Sequence, residues 1–215
     1  MKKGKEERKN TSHITDMTKT HKGENYRNID KEPEKKEIRI TTGMAKNKKL
    51  KIPEIENFRA VQEIAKSSVF SIIGEKVINS TCLDLFAGSG NMGLEALSRG
   101  ARWCDFVDEN SISVETIKEN IINCSFSEKS EVFRKKATKY ITKTDKKYDL
   151  IFVDPFYKDT SQKYLLSNLK NVLNKDGMIV FFHGENLNIK DLVRGTNLKI
   201  LEERSFGKSF FALIQ

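Results

Sequence analysis

Apolar residues from position 81 onward fall into two alternating patterns. Short runs at 81–86, 103–107, 131–134, 148–153 and 177–182 have the length of buried strands, and between them apolar residues recur at helical spacing. Met92, Leu94 and Leu97 can share one helix face, Ser111 reads as the cap of a helix through Cys124, and 138–142 supplies one or two turns. A further helix is predicted over 161–173. The runs at 197–206 and 209–214 flank Gly207-Lys208 and read as a terminal antiparallel pair. Strand and helix in alternation imply an α/β fold.

Two loops in this pattern carry chemistry. The run ending in Leu83-Asp84-Leu85-Phe86 is followed by Ala87-Gly88-Ser89-Gly90 and then by a helical pattern, which makes a strand, a glycine turn and a helix. At such a turn Gly88 and Gly90 let backbone approach a ligand closely. The run 148–153 ends at Asp154-Pro155-Phe156-Tyr157, so an acid stands where a parallel strand stops, the edge at which open α/β sheets bind ligands. Asp108 ends the intervening strand. Gly88 to Gly93 satisfies G-x-G-x-x-G, and with Asp108 alone it would suit a dinucleotide dehydrogenase. Asp84 within the strand and the Asp154-Pro155 pair have no part in hydride transfer and point instead to S-adenosylmethionine and an amine substrate.

The stretch from Leu83 through Ala101 resembles the cofactor motif of the RsmD family, bacterial methyltransferases acting on the exocyclic N2 of a guanine in small-subunit ribosomal RNA. Ile38 to Gly43 and Lys48 to Pro53 resemble that family's opening β-hairpin, Phe58-Arg59 through Phe70 its helix entry, and Phe206 to Phe211 its closing strand pair. The resemblance covers residues 38–215. It implies a class I methyltransferase: a Rossmann-like α/β domain with a mostly parallel seven-stranded sheet, one strand reversed, and an N-terminal hairpin and helix extension. It implies that Asp154 and the carbonyl of Pro155 hold the target amine while Tyr157 stacks on the extruded base. Asp84, Phe86, Ala87, Gly88 and Gly90 would surround the methionine part of S-adenosylmethionine, Asp108 its ribose, and the turn at Ala137 its adenine. This chain departs from the family at Phe156, where a second proline is usual, at Ala60-Val61 in place of Pro-Thr, at Ile64, and at Lys135-Lys136.

Charge adds a partner. The net charge is +9, and residues 38–80 hold eight basic against four acidic side chains. Arg39, Lys46, Lys48, Lys49, Lys51 and Arg59 are therefore expected to meet phosphates of small-subunit ribosomal RNA or of the assembling subunit. Residues 1–37 interleave eleven basic with eight acidic residues and almost no aliphatic ones, so they read as a disordered tail, followed by the extension at 38–80 and a catalytic domain at 81–215. An adenine-N6 methyltransferase and a catalytically silent RNA-binding relative are the alternatives. No apolar run reaches the ~18 residues of a membrane span and no leader is visible, which predicts a cytoplasmic protein, read here as a monomer. Cys82, Cys104 and Cys124 lack metal spacing, and no metal site is expected. Glu95 is read as a solvated helix charge and His183 as a strand-end residue that caps backbone.

Overall fold

The computed structural model describes residues 37–56, 58–155 and 162–215. The tail read at 1–37 falls outside these residues except for Glu37, and so do Phe156 and Tyr157 of the clamp motif. A two-stranded antiparallel hairpin, β1 (Ile38–Arg39) and β2 (Lys49–Leu50), leads into helix α1 (Glu63–Ile73). Then follow β3 (Thr81–Leu85), α2 (Asn91–Ser98), β4 (Trp103–Asp108), α3 (Ser111–Cys124), β5 (Ser130–Arg134), α4 (Ala137–Ile141) and β6 (Tyr148–Val153). The chain closes with α5 (Gln162–Leu169), β7 (Leu173–Gly184), α6 (Ile189–Val193), β8 (Ile200–Phe206) and β9 (Ser209–Ile214).

Seven strands form one sheet in the order β5-β4-β3-β6-β7-β9-β8. Every neighbouring pair from β5 to β7 is parallel, and β9 alone runs against its neighbours β7 and β8. Burial on both faces explains why the central strands read as continuous apolar runs. On one face, residues such as Phe70 of α1, Leu97 of α2 and Ile117 of α3 pack against Cys82, Phe106 and Phe152. On the other, Tyr140 of α4, Leu166 of α5 and Ile189 of α6 pack against Leu83, Ile151 and Phe181. Ile38, Ile40 and Leu50 of the hairpin join the first core, and Lys36–Gln215 form one compact unit. The extension read at 38–80 is thus built into the same core as the sheet.

Some boundaries differ from the sequence reading for local reasons. Asn110, not Ser111, caps α3, its Oδ1 accepting from the N–H groups of Ile112 and Ser113 at 2.8 and 3.4 Å. Strand β7 begins at Leu173 and not at 177, because Leu173 pairs with Tyr148 before a register shift that passes over the polar turn residues. The hairpin strands are two residues each, shorter than the runs that suggested them.

Candidate functional site

All three predicted acids stand on one face of the sheet, at its carboxyl edge. Alternation along β3, β4 and β6 places Asp84, Asp108 and Asp154 on the side of Cys82, Phe106 and Phe152, under α1, α2 and α3. The turn after β3 is held open by unusual torsions. Phe86 sits at φ 59, a strained value for an aromatic residue, and its successor Ala87 donates its N–H to the Val107 carbonyl at 3.2 Å. Gly88, at φ +55, has the Phe58 ring so close that a Cβ there would lie 2.8 Å from Cε2. Gly93 serves packing instead, because a Cβ would stand 2.4 Å from Phe106 and 2.6 Å from the Cys104 sulfur, where α2 rests on β4.

Each carboxylate has a defined setting. Oδ2 of Asp84 accepts the Gly93 N–H at 2.9 Å and so satisfies a first-turn donor of α2 from inside the neighbouring strand. Asp108 is held by two backbone donors at 2.9 Å, Gly88 on Oδ2 and Asn110 on Oδ1. Asp154 is half-buried beside the buried Pro155, with its N–H 3.5 Å from the Leu85 carbonyl. Burial pushes the Asp154 carboxyl up to about 7. Burial also holds Asp84 well above the ordinary carboxylate range, helped by the nearby charges of Asp154 and Asp108, and it raises Asp108. Asp84, Asp154, Ala87, Gly88, Phe58 and Asn91 line one cleft. Three acids crowded into a site of low polarity are costly as anions, and a cation seated among them would lower that cost.

A set of buried polar groups that local patterning does not disclose supports this cleft. Glu95 is not solvated: it is completely buried, and its carboxylate accepts from the Thr41 and Thr42 N–H groups, the Thr41 hydroxyl and Arg99 at 2.7–3.1 Å. Lys66 of α1, also fully buried, lies 3.0 Å from Glu95 and donates to the Arg39 carbonyl and to Asn91 Oδ1 at 2.6 and 2.8 Å. Burial alone would raise the Glu95 carboxyl, but Lys66, Thr41 and Arg99 together hold it below its usual range. Asn91 in turn donates to the Val61 carbonyl at 3.2 Å, tying the cleft wall to the segment before α1. Asn120 does the same for the glycine turn, bonding the Ser89 and Lys51 carbonyls, each at 2.9 Å. One signal for Glu95 was available: Met92 to Leu97 is apolar on every side, so a charge inside it must be buried and paired.

The other predicted positions are scattered. Ala137, first residue of α4, turns its side chain into the second core, so a ligand at that turn meets backbone. Of the basic residues, Arg39 pairs with Glu63, Lys49 with Glu37 and Lys51 with Glu119, at 2.7–3.0 Å. Lys46 and Lys48 lie at the hairpin turn, where the Met44 and Ala45 N–H groups bond Ser98 at the end of α2. Since α2 begins at the glycine turn and runs eight residues away from it, about 12 Å, these two lysines stand toward the opposite edge of the sheet. Arg59 lines the cleft beside Phe58. His183 faces the second layer, stacked on Phe210 with centroids 5.3 Å apart and 3.3 Å from Glu203, on the side of the sheet away from Asp154. All three cysteines are buried thiols, and no cluster of metal-binding side chains occurs among the described residues.

Comparison with known proteins agrees with this geometry. The model of the family described as Conserved hypothetical protein 95 matches residues 38–215. A candidate rRNA methyltransferase of Bacillus subtilis is 33% identical over 73% of this chain and 88% of its own. The ribosomal RNA small subunit methyltransferase D of Buchnera aphidicola is 30% identical over 82% of this chain and 90% of its own. Among solved structures, a candidate methylase from Haemophilus influenzae, 25% identical, superposes with a TM-score of 0.70 over 84% of this chain and 98% of that one. With the family model spanning the whole compact unit and relatives of this identity aligned along most of their length, the chain belongs to the RsmD family of methyltransferases.

Proposed function

We propose that this protein transfers a methyl group from S-adenosylmethionine to the exocyclic N2 amine of a guanine in small-subunit ribosomal RNA. Its relatives named ribosomal RNA small subunit methyltransferase D support the substrate class. The observation that carries the chemistry is the placement of Asp84 and Asp154 in one cleft lined by Phe86 to Ser89 of the glycine turn, with Asp108 accepting the Gly88 N–H beside it. Its residues fit that cofactor. The raised carboxyls call for a cationic occupant, Gly88 leaves no room for a side chain, and Asp108 is fixed by two N–H bonds at the strand end, where a ribose diol is bound well. When bound, S-adenosylmethionine supplies an electrophilic methyl group on a sulfonium.

This chain's residues then supply position and polarity. The N2 lone pair of guanine is delocalised into the ring. An ionised Asp154 together with the Pro155 carbonyl would accept the two N–H bonds, hold the amine and favour the geometry that localises its lone pair. A cation beside Asp154 draws its pKa down from about 7, so the site ionises the acceptor as it fills. The amine becomes acidic once methylated, so Asp154 need only orient it. Tyr157, outside the described residues, is assigned to stacking on the base. The cleft has a free volume of about 30 Å³ with the Phe58 ring over Gly88, so cofactor entry requires the segment before α1 to swing. The protein acts as a cytoplasmic monomer, on the RNA or on the assembling small subunit. None of the described helices is long and apolar enough to cross a membrane.

A deletion strain tests the function. Primer extension on its small-subunit RNA should lose one guanine-specific signal, restored by the wild-type gene and not by Asp154→Ala. An unchanged modification pattern would remove the assignment.

A further inference from the structure

Residues 134–147 hold seven basic side chains, Arg134, Lys135, Lys136, Lys139, Lys143, Lys146 and Lys147, against one acidic side chain, Asp145. That density exceeds the hairpin's. Its position matters as much. Arg134 is the register partner of Asp108, and the Lys135 N–H donates to the Asp108 carbonyl at 3.0 Å, so the segment starts at the carboxyl edge of the sheet, beside the proposed ribose carboxylate. Lys136 precedes α4, Lys139 lies within it and Lys143 in the turn that closes it, at spacings of three and four that put all three on one flank. The opposite flank is fixed inward by Ala137, Tyr140 and Ile141, so the lysines face solvent, and all three are exposed.

Pairing separates this surface from the hairpin. Three of the five hairpin cations, Arg39, Lys49 and Lys51, each lie against a glutamate and only Lys46 and Lys48 form no ion pair, whereas Arg134, Lys135, Lys136, Lys139 and Lys143 all form none among the described residues. Lys146, in the loop between α4 and β6, is the contrast: Asp105 and Glu131 neutralise it at 2.9 and 3.1 Å. Unneutralised like charges in a row repel one another, and a polyanion laid along them exchanges that repulsion for attraction while releasing counterions. The hairpin packs on the face of the sheet that carries Asp154, but its turn points toward the other edge; the lysine row begins at the edge where Asp154 stands, although α4 itself packs on the opposite face, so RNA reaching both would cross that edge.

We propose that the Arg134–Lys143 row is the principal phosphate-binding surface of this enzyme, tracking the backbone of the RNA whose guanine enters at Asp154, with the hairpin lysines as a secondary contact. This rests on the reading of the protein as an RNA methyltransferase. The test uses the full chain with a small-subunit RNA fragment, its affinity measured at several salt concentrations. Lys136→Ala, Lys139→Ala and Lys143→Ala combined should weaken binding at least tenfold and lower the salt slope by about two to three, near 0.7–0.9 per lost contact. The KM for RNA should rise while kcat at saturating RNA stays within about twofold, and the corresponding triple Lys→Arg variant should restore both affinity and slope. Lys46→Ala with Lys48→Ala should lower the slope by less. Circular dichroism and cofactor affinity report folding, and Lys139→Gln with Lys143→Gln, expected to lower the slope by about one to two, serves if the triple variant is unstable. An unchanged slope in a folded variant, or a larger loss from the hairpin pair, would overturn the proposal. Failure of the underlying reading looks different: the wild-type protein would transfer no methyl group to ribosomal RNA, whatever its salt slope.

Discussion

Replacing Asp154 by Asn should stabilise the cofactor-free protein, and by an amount that grows with pH. The carboxyl rises from an ordinary 3.8 to about 7 because it is buried. A folded-state pKa above the unfolded one means the native protein holds the proton more tightly, so the wild type loses stability as pH climbs through this interval. Three units at about 1.36 kcal/mol each give an upper figure of about 4 kcal/mol above pH 7 and about 1.5 kcal/mol at pH 5. Partial solvent access at a half-buried position screens part of this, which leaves about 2 to 4 kcal/mol at pH 8 and about 1 kcal/mol at pH 5. Asn preserves the side chain's shape and removes the titration. Urea unfolding of both proteins at pH 5 and pH 8 measures the difference. In thermal melts at pH 8 it corresponds to roughly 5–10 °C for a chain of this size. Methyl transfer should meanwhile fall by about 10- to 100-fold, the loss of a charge-assisted hydrogen bond in the reacting complex. A stability difference that is the same at both pH values would refute the reasoning, since it would show that Asp154 does not titrate with a raised pKa in the folded state.

Cofactor binding should be linked to the same protons: S-adenosylmethionine affinity rises between pH 6 and pH 8, while S-adenosylhomocysteine, lacking the sulfonium charge, shows a flatter profile by calorimetry. Asp108→Ala should weaken cofactor binding by about 1 to 3 kcal/mol, and an unchanged dissociation constant would mean that this strand end is not the ribose site. Asp154→Ala should nearly abolish transfer and flatten the pH profile of cofactor binding while leaving cofactor affinity at pH 6, where the carboxyl is largely neutral, within a few-fold; affinity lost at pH 6 in the folded variant would reverse that division of labour. Glu95→Ala should cost about 3 to 5 kcal/mol in urea unfolding by leaving Lys66 buried without its counterion, and Glu95→Leu combined with Lys66→Met should recover much of the loss.

Much of the site could be read from local pattern because its parts are local. A strand, a glycine turn and a helix occupy adjacent residues in β3 and α2, and Asp108 and Asp154 each end an apolar run, so their edge of the sheet follows from direction alone. What pattern could not show depends on residues far apart. Glu95 is buried because Thr41 and Thr42, more than fifty positions away, fold over it with the hairpin. The pairing of Lys51 with Glu119 of α3 likewise joins residues that are distant in sequence. The lysine row of α4 was hidden by averaging: summed over residues 81–215, twenty basic against eighteen acidic residues conceal a local excess of six within fourteen positions.

The most direct test of the account is transfer of labelled methyl from S-adenosylmethionine to small-subunit RNA, or to subunits from a strain lacking this modification, followed by nucleoside mass spectrometry. The expected label is N2-methylguanosine, formed by the wild type and nearly absent with Asp154→Ala at equal cofactor occupancy. Label found in N6-methyladenosine, or no label in any nucleoside from protein with its cofactor bound, would contradict it.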